Sequence, residues 1–546
     1  MQIEGKVGEL LEWDYFVKDI VSTNSLELDI LIKTPSGKEY IVPTFWRGDN
    51  RFSVRFIARE IGRYEVKLKS NINLLNSVVD SLLISQGVVF KPLKLSDNKK
   101  YLQKGDKPFF WLSDTWWMAL SSRLDFELFK QMADFRKSQG FNIIQLVAGL
   151  MPDMDSFDTR GANKSGFPWE ENYSKINPHY FDEADEKIFY LFNSGFTISI
   201  VGSWGYYLNF LGEEKMKQHW RYLIARWGAL DVIWCIAGET TMPYYLSNNR
   251  NLEQKELKSG WSELAKYIRE IESFGRLITT HPIEASVNEL DSDLLDINLL
   301  QASHNSFSSI QKGIELLERS INLNIPTIMD EINYEGILRG NESSMQRVSF
   351  WNSFLNGSKG FGYGANGIWQ VNKEDNPFGA SPSGASWGNT PLKKALYFQG
   401  AKDISRAKKF LEEFEWWNLE PKSSDIKPIP KPIYNISMAG FNKNLRIIYI
   451  YEQIPPWHNI EYKITKLNAN ALYNAYFWNP SFEQKINIEP IKSSNSGEIT
   501  LPLPPSLDEW VLVLEFEKKK RNSTSVSTKT KFKNKVSEFI KKAFTF

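Results

Sequence analysis

Three carboxylates lie close together in the stretch IMDEINYEG, residues 328–336: Asp330, Glu331 and Glu335. Glu331 ends an apolar run, and Glu239 ends another, VIWCIAGE, 92 residues earlier. Two carboxyl groups that flank a bound sugar can cleave a glycosidic bond, one as proton donor and the other as nucleophile or as the base that activates water. The first question is therefore whether the fold brings Glu239 and Glu331 together.

The region from Lys107 to about Gly400 alternates short apolar runs with helical stretches, as βα units with a parallel sheet do. Helical patterns at Phe126–Gln139 and Asp182–Asn193 precede the second and third runs. Eight runs would close a (β/α)8 TIM barrel, in which strands four and seven face each other across the mouth. The runs are FFWLSD, FNIIQLVAG, FTISIVGS, DVIWCIAGE, RLITTH, LDINLLQAS, PTIMDE and GFGYGANGIWQ.

The flanking regions alternate apolar and polar residues, which predicts antiparallel strands. Tyr64, Val66 and Leu68, for example, alternate with Glu65 and Lys67. We predict an α/β fold in which the barrel is flanked by two β-sandwich domains. The predicted bounds are 1–95 for the N-terminal sandwich, 96–422 for the barrel, 423–517 for the C-terminal sandwich and 518–546 for a basic tail.

Catalytic residues of such barrels lie at the C-terminal ends of the strands. Beside Glu239 and Glu331, this rule and the neighbouring loops give a set of substrate-binding candidates: Asp114, Trp116, Gln145, Trp204, His281, His304, Tyr334, Glu335 and Trp369.

Several candidates have a structural alternative. Asp114 could brace the barrel mouth, and Trp116 could belong to the core. His281 and His304 could be hydrogen-bonded structural residues. Trp369, which the pattern places at the end of strand eight, is the candidate platform beneath the sugar.

Asp330 is expected to be structural. Neighbouring side chains on a strand point to opposite faces, so Asp330 should point toward the helices if Glu331 points into the mouth.

Charge is unevenly distributed along the chain. The net charge is +1, but residues 518–546 carry nine Lys, Arg521 and Glu538, a local +9 that leaves −8 for the rest. A mildly acidic body argues against a nucleic-acid partner. The single cysteine, Cys235, excludes an intramolecular disulfide framework, and the predicted chemistry needs no metal or organic cofactor.

The two ends of the sequence bear on localisation. The first residues lack the basic and apolar segments of a signal peptide, so we expect a cytoplasmic protein unless a leader has been removed. The basic tail is either disordered or an amphipathic helix that contacts a membrane surface weakly. The oligomeric state cannot be predicted.

Five stretches resemble one known family: KPFFWLSDTWW, KSQGFNIIQ, VIWCIAGE, IPTIMDEINYEG and GANGIWQ. They are similar to the apiosidase-like catalytic domain, glycoside hydrolase family 140, once called DUF4038. The resemblance covers about residues 97–420. The sequence VPTFWRGDNRFSVRFIAREIGRYEV resembles the DUF5060-type module that often precedes this domain, and YNAYFWNP resembles a small sandwich that follows it.

This resemblance implies a retaining, exo-acting glycosidase. It places the acid/base at Glu239 and the nucleophile at Glu331, with a plant or bacterial polysaccharide or oligosaccharide as substrate. Two positions differ from the family pattern, since Glu239 stands where Asp is usual and Ile332 replaces a proline.

Two other functions are compatible with the sequence. The chain could be a non-catalytic carbohydrate-binding or scaffold protein on a glycosidase-like barrel, although a pure binder would not need both glutamates. A nuclease or lipid-processing role would rest on the basic tail alone.

Overall fold

The structure is a computed structural model that describes residues 2–17, 27–70, 79–339, 341–451 and 460–517. The predicted basic tail, and with it the predicted membrane contact, lies outside these residues. No helix in the described ranges is both long and apolar enough to cross a membrane.

Two sheets of antiparallel character form the N-terminal region. A five-stranded sheet has the order β1-β8-β7-β3-β4 and a three-stranded sheet the order β2-β6-β5, with only β1 and β8 parallel among the pairs in these sheets. The strands are β1 (Gln2–Lys6), β2 (Leu10–Phe16), β3 (Leu28–Lys33), β4 (Glu39–Pro43), β5 (Phe45–Trp46), β6 (Arg51–Ile57), β7 (Gly62–Ser70) and β8 (Val79–Ser85). On β7, Tyr64, Val66 and Leu68 are buried while Glu65 and Lys67 are exposed, so the predicted alternation is confirmed.

A small sheet connects this region to the barrel. It consists of β9 (Leu93–Leu95), β10 (Leu102–Lys104) and β11 (Lys107–Phe109). Leu93 and Leu102 pack with Trp111, Ile143 and other residues near the starts of the barrel strands. The sheet therefore covers the N-terminal end of the barrel and leaves the opposite end for the site.

Eight parallel strands form the barrel, as predicted. They are β12 (Trp111–Thr115), β13 (Ile143–Val147), β14 (Thr197–Val201), β15 (Val232–Gly238), β16 (Leu277–His281), β17 (Asn298–Gln301), β18 (Thr327–Glu331) and β19 (Gly360–Tyr363). The hydrogen-bonded order is β16-β15-β14-β13-β12-β19-β18-β17. Asp296 N donates to Ile278 O (2.8 Å) between β16 and β17, so the barrel is nearly closed and the (β/α)8 fold is confirmed.

Ten α-helices accompany these strands in the described residues, mostly around the outside of the barrel. They are α1 (Phe126–Ser138), α2 (Pro178–Asn193), α3 (Tyr207–Leu211), α4 (Glu213–Trp227), α5 (Arg250–Ile271), α6 (Ser286–Glu289), α7 (Phe307–Ser320), α8 (Ser343–Leu355), α9 (Leu392–Ala395) and α10 (Gln399–Leu411). In α1, the Asp125 side chain caps the first turn by accepting from Leu128 N, and Phe129, Met132 and Ala133 recur at helical spacing on the buried face.

The C-terminal region again contains two sheets. Their orders are β20-β22-β23-β28-β25-β26 and β21-β24-β27, and all the recorded pairs are antiparallel. The strands are β20 (Glu420–Pro421), β21 (Ile426–Lys427), β22 (Ile436–Phe441), β23 (Leu445–Ile450), β24 (Lys463–Ile464), β25 (Leu472–Trp478), β26 (Lys485–Lys492), β27 (Ile499–Thr500) and β28 (Trp510–Phe516). The two sheets enclose their own apolar core, which includes Met438, Phe477 and Leu512.

A buried ion-pair cluster joins the N-terminal sheets to the barrel. Arg55 on β6 donates to Asp185 Oδ2 on α2 (2.5 Å), and Arg226 on α4 donates to the same oxygen (2.7 Å). Both arginines are almost completely buried. Removing either partner of such an ion pair would leave an uncompensated buried charge, which strongly destabilises a fold.

Candidate active site

A cleft of about 230 Å³ opens at the C-terminal end of the barrel. It lies over the ends of the strands that carry the two predicted glutamates. Its lining consists of Trp117, Pro152, Asp153, Trp204, Glu239, Met242, Tyr245, Gln301, Ser303, His304, Glu331, Tyr334, Ile337, Trp369 and Trp387. Aromatic faces beside a few polar groups are a suitable surface for a sugar, whose ring has apolar faces and a polar rim.

Glu331 ends β18 and lies in the cleft, as expected, but the predicted direction of Asp330 is wrong. Asp330 Oδ1 accepts from Gln145 Nε2 on β13 (2.9 Å), and Oδ2 lies 3.2 Å from His281 Nδ1 on β16. A side chain that reaches both strands lies inside the barrel. The reason is a bulge, because the register between β17 and β18 passes from Leu300↔Met329 to Gln301↔Glu331 and leaves Asp330 unpaired.

Four groups surround the Glu331 carboxylate. His304 Nε2 (3.1 Å) and Gln301 Nε2 (3.2 Å) donate to Oε1. The Tyr334 hydroxyl donates to Oε2 (2.7 Å), and His281 Nε2 lies 3.2 Å from the same oxygen. His304 Nδ1 accepts from Tyr334 N (3.1 Å), so the ring proton of a neutral His304 is on Nε2, facing Glu331.

These contacts keep Glu331 ionised. Burial alone would raise its pKa, but the contacts with the imidazoles of His281 and His304 outweigh burial and hold the pKa well below the usual range. Burial likewise disfavours a charged His281, yet its contacts with Asp330 and Glu331 raise the pKa of His281 to about 10. The Asp330–His281–Glu331 chain therefore places an imidazolium directly behind the carboxylate.

Glu239 follows the last residue of β15 in an unusual backbone conformation. Its φ is +44°, in the left-handed region, and the register between β15 and β16 shifts just before it. Gly238 is required there, since a Cβ would lie 2.2 Å from the Trp204 ring. This turn directs Glu239 into the cleft, where Trp204 Nε1 donates to Oε2 (3.2 Å).

The environment of Glu239 favours the protonated carboxylic acid. Burial first, and then repulsion by the negative charge of Glu331, raise the pKa of Glu239 to about 7. The pKa values of the two glutamates are thus shifted in opposite directions, so that Glu239 is favoured as the protonated acid and Glu331 as the carboxylate. That difference is the signature of a proton donor paired with a nucleophile or base.

Gln301 fixes how far apart the two carboxyl groups are. Its Nε2 donates to Glu239 Oε1 (3.3 Å) as well as to Glu331 Oε1 (3.2 Å). The two oxygens are therefore at most about 6.5 Å apart, the length of both bonds laid end to end. If each N–H of the amide serves one oxygen, with the two N–H bonds about 120° apart, the separation is roughly 5.6 Å.

Four of the nine predicted substrate-binding residues line the cleft: Trp204, His304, Tyr334 and Trp369. Trp369 does so from a different position than expected, because β19 ends at Tyr363 and Trp369 lies in the loop that follows. His281 is buried directly behind the cleft, in contact with Glu331 and with the rings of Trp117 and Trp204. It therefore acts on substrate only through Glu331.

The other four predicted residues lie outside the cleft lining. Asp114 is fully buried and paired with Arg136 Nε (2.6 Å), and Trp116 is buried against Phe129. These contacts favour the structural alternatives, a brace for Asp114 and a core position for Trp116.

Gln145 and Glu335 are also buried. Gln145 extends along the barrel interior to Asp330. Glu335 accepts from the Tyr363 hydroxyl (2.7 Å) and from Gly400 N (3.1 Å), behind the cleft wall. Neither residue is part of the cleft lining, so a contact of Gln145 or Glu335 with substrate stays a prediction.

Sequence reasoning missed several cleft residues. Gln301 ends the apolar run INLLQ and could have been found by the strand-end rule, but from this segment the predicted set contains only His304. Asp153, Tyr245 and Trp387 come from long loops, where no periodic pattern marks a residue as functional.

The chemistry available to the cleft is acid–base and nucleophilic. A protonated Glu239 and an ionised Glu331 can act on the two sides of one glycosidic bond. Among the described residues, no group of three His, Cys, Asp or Glu side chains is arranged to hold a metal ion.

The comparisons with known proteins agree with this geometry. The profile of the family described as "Apiosidase-like, catalytic domain" matches residues 96–418, more than half of the chain. None of the curated proteins matches the chain.

Solved structures share the fold. A protein titled "Glycoside hydrolase" has 21% sequence identity and a TM-score of 0.64, over 78% of this chain and 97% of that one. A glycoside hydrolase family 5 protein from Bacteroides vulgatus ATCC 8482 has 23% identity and a TM-score of 0.63, over 78% and 92% of the two chains. A putative glycoside hydrolase from the same organism has 14% identity and a TM-score of 0.67, over 94% and 100%.

The predicted resemblance is thereby confirmed at the level of the family. The eight-stranded barrel, the two glutamates with opposed pKa shifts and the match over residues 96–418 point to one conclusion. The chain belongs to the family of apiosidase-like catalytic domains and is a glycoside hydrolase.

Proposed function

We propose that the protein is a retaining, exo-acting glycoside hydrolase that releases a terminal sugar from a plant or bacterial polysaccharide or oligosaccharide. The observation that carries this proposal is that Gln301 Nε2 donates to both carboxyl groups, which keeps the two accepting oxygens within about 6.5 Å of each other. If one amide N–H serves each oxygen, their separation is roughly 5.6 Å, close to the 5–5.5 Å typical of retaining enzymes. It leaves little room for the water molecule that an inverting enzyme places between sugar and base.

In the first step, Glu331 attacks the anomeric carbon while Glu239 gives its proton to the departing glycosidic oxygen. The products are a covalent glycosyl–Glu331 ester and the released alcohol. In the second step, Glu239, now ionised, takes a proton from water as that water attacks the same carbon, which frees Glu331 and restores the Glu239 acid.

The residues around Glu331 assist both steps. As the ester forms, its negative charge disappears, and the His281 imidazolium loses its partner on that side while it retains Asp330. As the ester breaks, the same imidazolium and the Tyr334 hydroxyl stabilise the departing carboxylate. Preorganised donors of this kind are effective because they need no rearrangement during the reaction.

The exo mode is supported by a contact between two loops. Trp387, in the loop after β19, donates through Nε1 to Asp153 Oδ2, in the loop after β13 (3.2 Å). Because β13 and β19 flank β12, this contact forms a wall over β12 at one side of the cleft. A wall at one end suits a substrate that enters by a chain end.

The test is to incubate the purified protein with pectic, hemicellulosic and bacterial glycans and to identify the products by mass. We expect a single monosaccharide from the start of the reaction, with no intermediate oligosaccharides. Proton NMR should show the released sugar first with the anomeric configuration that it had in the substrate. Early release of the opposite anomer would contradict retention, and early oligosaccharides would contradict the exo mode.

The two glutamates are tested in the same assay. Glu239→Ala and Glu331→Ala should each abolish release. A 2-deoxy-2-fluoro glycosyl fluoride of the released sugar should label Glu331 covalently, as peptide mass spectrometry would detect. Labelling of Asp330 or Glu335 instead would reject Glu331 as nucleophile.

A further inference from the structure

Asp153 is a third carboxylate in the cleft, and the proposed reaction does not use it. It lies in the loop after β13, lines the cleft beside Glu239 and Glu331, and is only 7% exposed. Its charge is felt at the catalytic pair, because Asp153 contributes to the raised pKa of Glu239. An ionisable group so close to the reacting centre needs a function of its own.

The position of the Asp153 side chain is fixed on several sides. Trp387 Nε1 donates to Oδ2 (3.2 Å), and the Tyr245 hydroxyl accepts from the Asp153 backbone N–H (3.1 Å). The backbone itself has a φ of +56°, in the left-handed region. Strained backbone of this kind persists where surrounding contacts enforce it, commonly at ligand sites.

The positive charge nearest in sequence is engaged elsewhere. Arg160 donates to both carboxylate oxygens of Asp158 and to the carbonyl groups of Phe378 and Ala380. It meets Asp153 only at the backbone carbonyl (3.3 Å). The Asp153 carboxylate therefore accepts from an uncharged donor, Trp387 Nε1, and faces the cleft without a salt-bridge partner among the described side chains.

The cleft lining offers no cationic side chain of the usual kind for an anionic group. Among the described side chains that line it, none is a lysine or an arginine, and the acidic ones are Asp153, Glu239 and Glu331. Glu239 is held as the neutral acid and the His281 imidazolium is engaged by Asp330 and Glu331, so an anionic group in the cleft would face the carboxylates of Asp153 and Glu331. Sites for carboxylate, sulfate or phosphate groups are usually built with arginine or lysine. A sugar that carries such a group would meet like charge here, which costs binding free energy.

We propose that Asp153 determines specificity by accepting hydrogen bonds from hydroxyl groups of the bound sugar, and that it selects uncharged glycosyl units over uronic acids and sulfated or phosphorylated sugars. This inference rests on the proposed function, since it assumes that the cleft binds the sugar to be released. A carboxylate whose recorded hydrogen-bond donor is the neutral Trp387 indole can accept sugar hydroxyls strongly, because hydrogen bonds to a charged group are stronger than neutral ones.

The experiment measures binding and hydrolysis separately on the full chain. The probes are methyl glycosides of neutral pentoses and hexoses, with each hexose paired with its uronic acid. Affinities are measured by saturation-transfer NMR and calorimetry at pH 6. Release from natural glycans is followed in parallel.

The variants are wild type, Asp153→Asn, Trp387→Phe and a matched control, Asp155→Asn. Asp153→Asn removes the charge at nearly constant shape. Trp387→Phe removes the donor to Oδ2. Asp155→Asn removes the same charge from an exposed residue of the same loop that does not line the cleft. Thermal melting checks that all are folded.

We expect wild type to bind a neutral glycoside at least 10-fold more tightly than the paired uronic acid. Asp153→Asn should weaken binding of the neutral sugar about 10- to 100-fold, the effect of losing a charged hydrogen-bond acceptor, and should reduce the preference over the uronic acid. Trp387→Phe should weaken binding to a smaller extent. Asp155→Asn should change neither affinity nor preference.

Other outcomes overturn the inference. They are equal or tighter binding of a uronic acid by wild type, unchanged binding by Asp153→Asn, or no binding of any probe. Release of uronic acid from a glycan would reject this inference and leave the proposed hydrolase standing. Selective binding of neutral sugars without hydrolysis of any glycan would support this inference and reject the proposed hydrolase activity.

Discussion

Replacement of Glu331 by glutamine should lower the pKa of Glu239. The change removes the negative charge that, after burial, contributes most to raising this pKa to about 7. At roughly 5.6 Å and an effective dielectric constant of about 20, two unit charges interact by about 3 kcal/mol. One pKa unit is 1.36 kcal/mol, so the pKa should fall by about two units, to about 5.

The pKa of Glu239 can be read directly from the side-chain carbon. Wild type and Glu331→Gln are labelled with ¹³C at glutamate Cδ, and the pH dependence of the Cδ chemical shifts is followed by NMR. The Glu239 signal is identified by its absence from the spectrum of Glu239→Gln. The sign is fixed, because removing a nearby negative charge favours the ionised form. A pKa that stays near 7 in Glu331→Gln would refute the coupling to Glu331 and leave burial as the main cause.

This coupling has a consequence for turnover. When Glu331 is esterified during the reaction, its charge is absent just as it is in Glu331→Gln. The Glu239 pKa should then be low, which is what a residue that must now act as base requires. The close spacing of the two groups therefore lets Glu239 be protonated in the first step of the reaction and ionised in the second.

Three further predictions concern individual groups. The kcat/KM of wild type should fall as pH rises through about 7, because Glu239 must be protonated to act as the acid. A flat pH profile between pH 6 and 9 would contradict this assignment. Glu239→Gln, which cannot donate that proton, should lower kcat at least about 100-fold. Tyr334→Phe keeps the ring but removes the donor to Glu331, so kcat/KM should fall about 10- to 100-fold with unchanged circular dichroism. Asp114→Ala leaves Arg136 buried without its partner and should reduce the free energy of unfolding by about 3 to 5 kcal/mol, measured in urea; a loss below about 1 kcal/mol would show that the pair is not important for stability.

The barrel and its catalytic pair could be predicted because they depend on regular patterns. Eight apolar runs gave eight strands, and Glu239 and Glu331 were found because each follows the last apolar residues of a run. Helix α1 was predicted within one residue, since its apolar residues recur at helical spacing and Asp125 caps its start.

The errors arise where that regularity is interrupted. The direction of Asp330 was predicted from strict alternation, and one bulge in β18 reversed it. The sequence predicts Trp369 at a strand end because it lies near the end of the run GFGYGANGIWQ, yet β19 ends at Tyr363. Asp153 and Trp387 meet across two loops, and such a contact depends on tertiary structure that no local pattern encodes.

The shared ion pair of Asp185 bears on how this architecture could be divided or recombined. Arg55 from the N-terminal sheets and Arg226 from the barrel donate to the same carboxylate, that of Asp185. If the two regions were separated, this buried ion-pair cluster would lose one of its arginines. Excising the first domain would remove one arginine and open the second to solvent. A fusion protein that uses this barrel should therefore include the N-terminal sheets as part of the minimal folded unit.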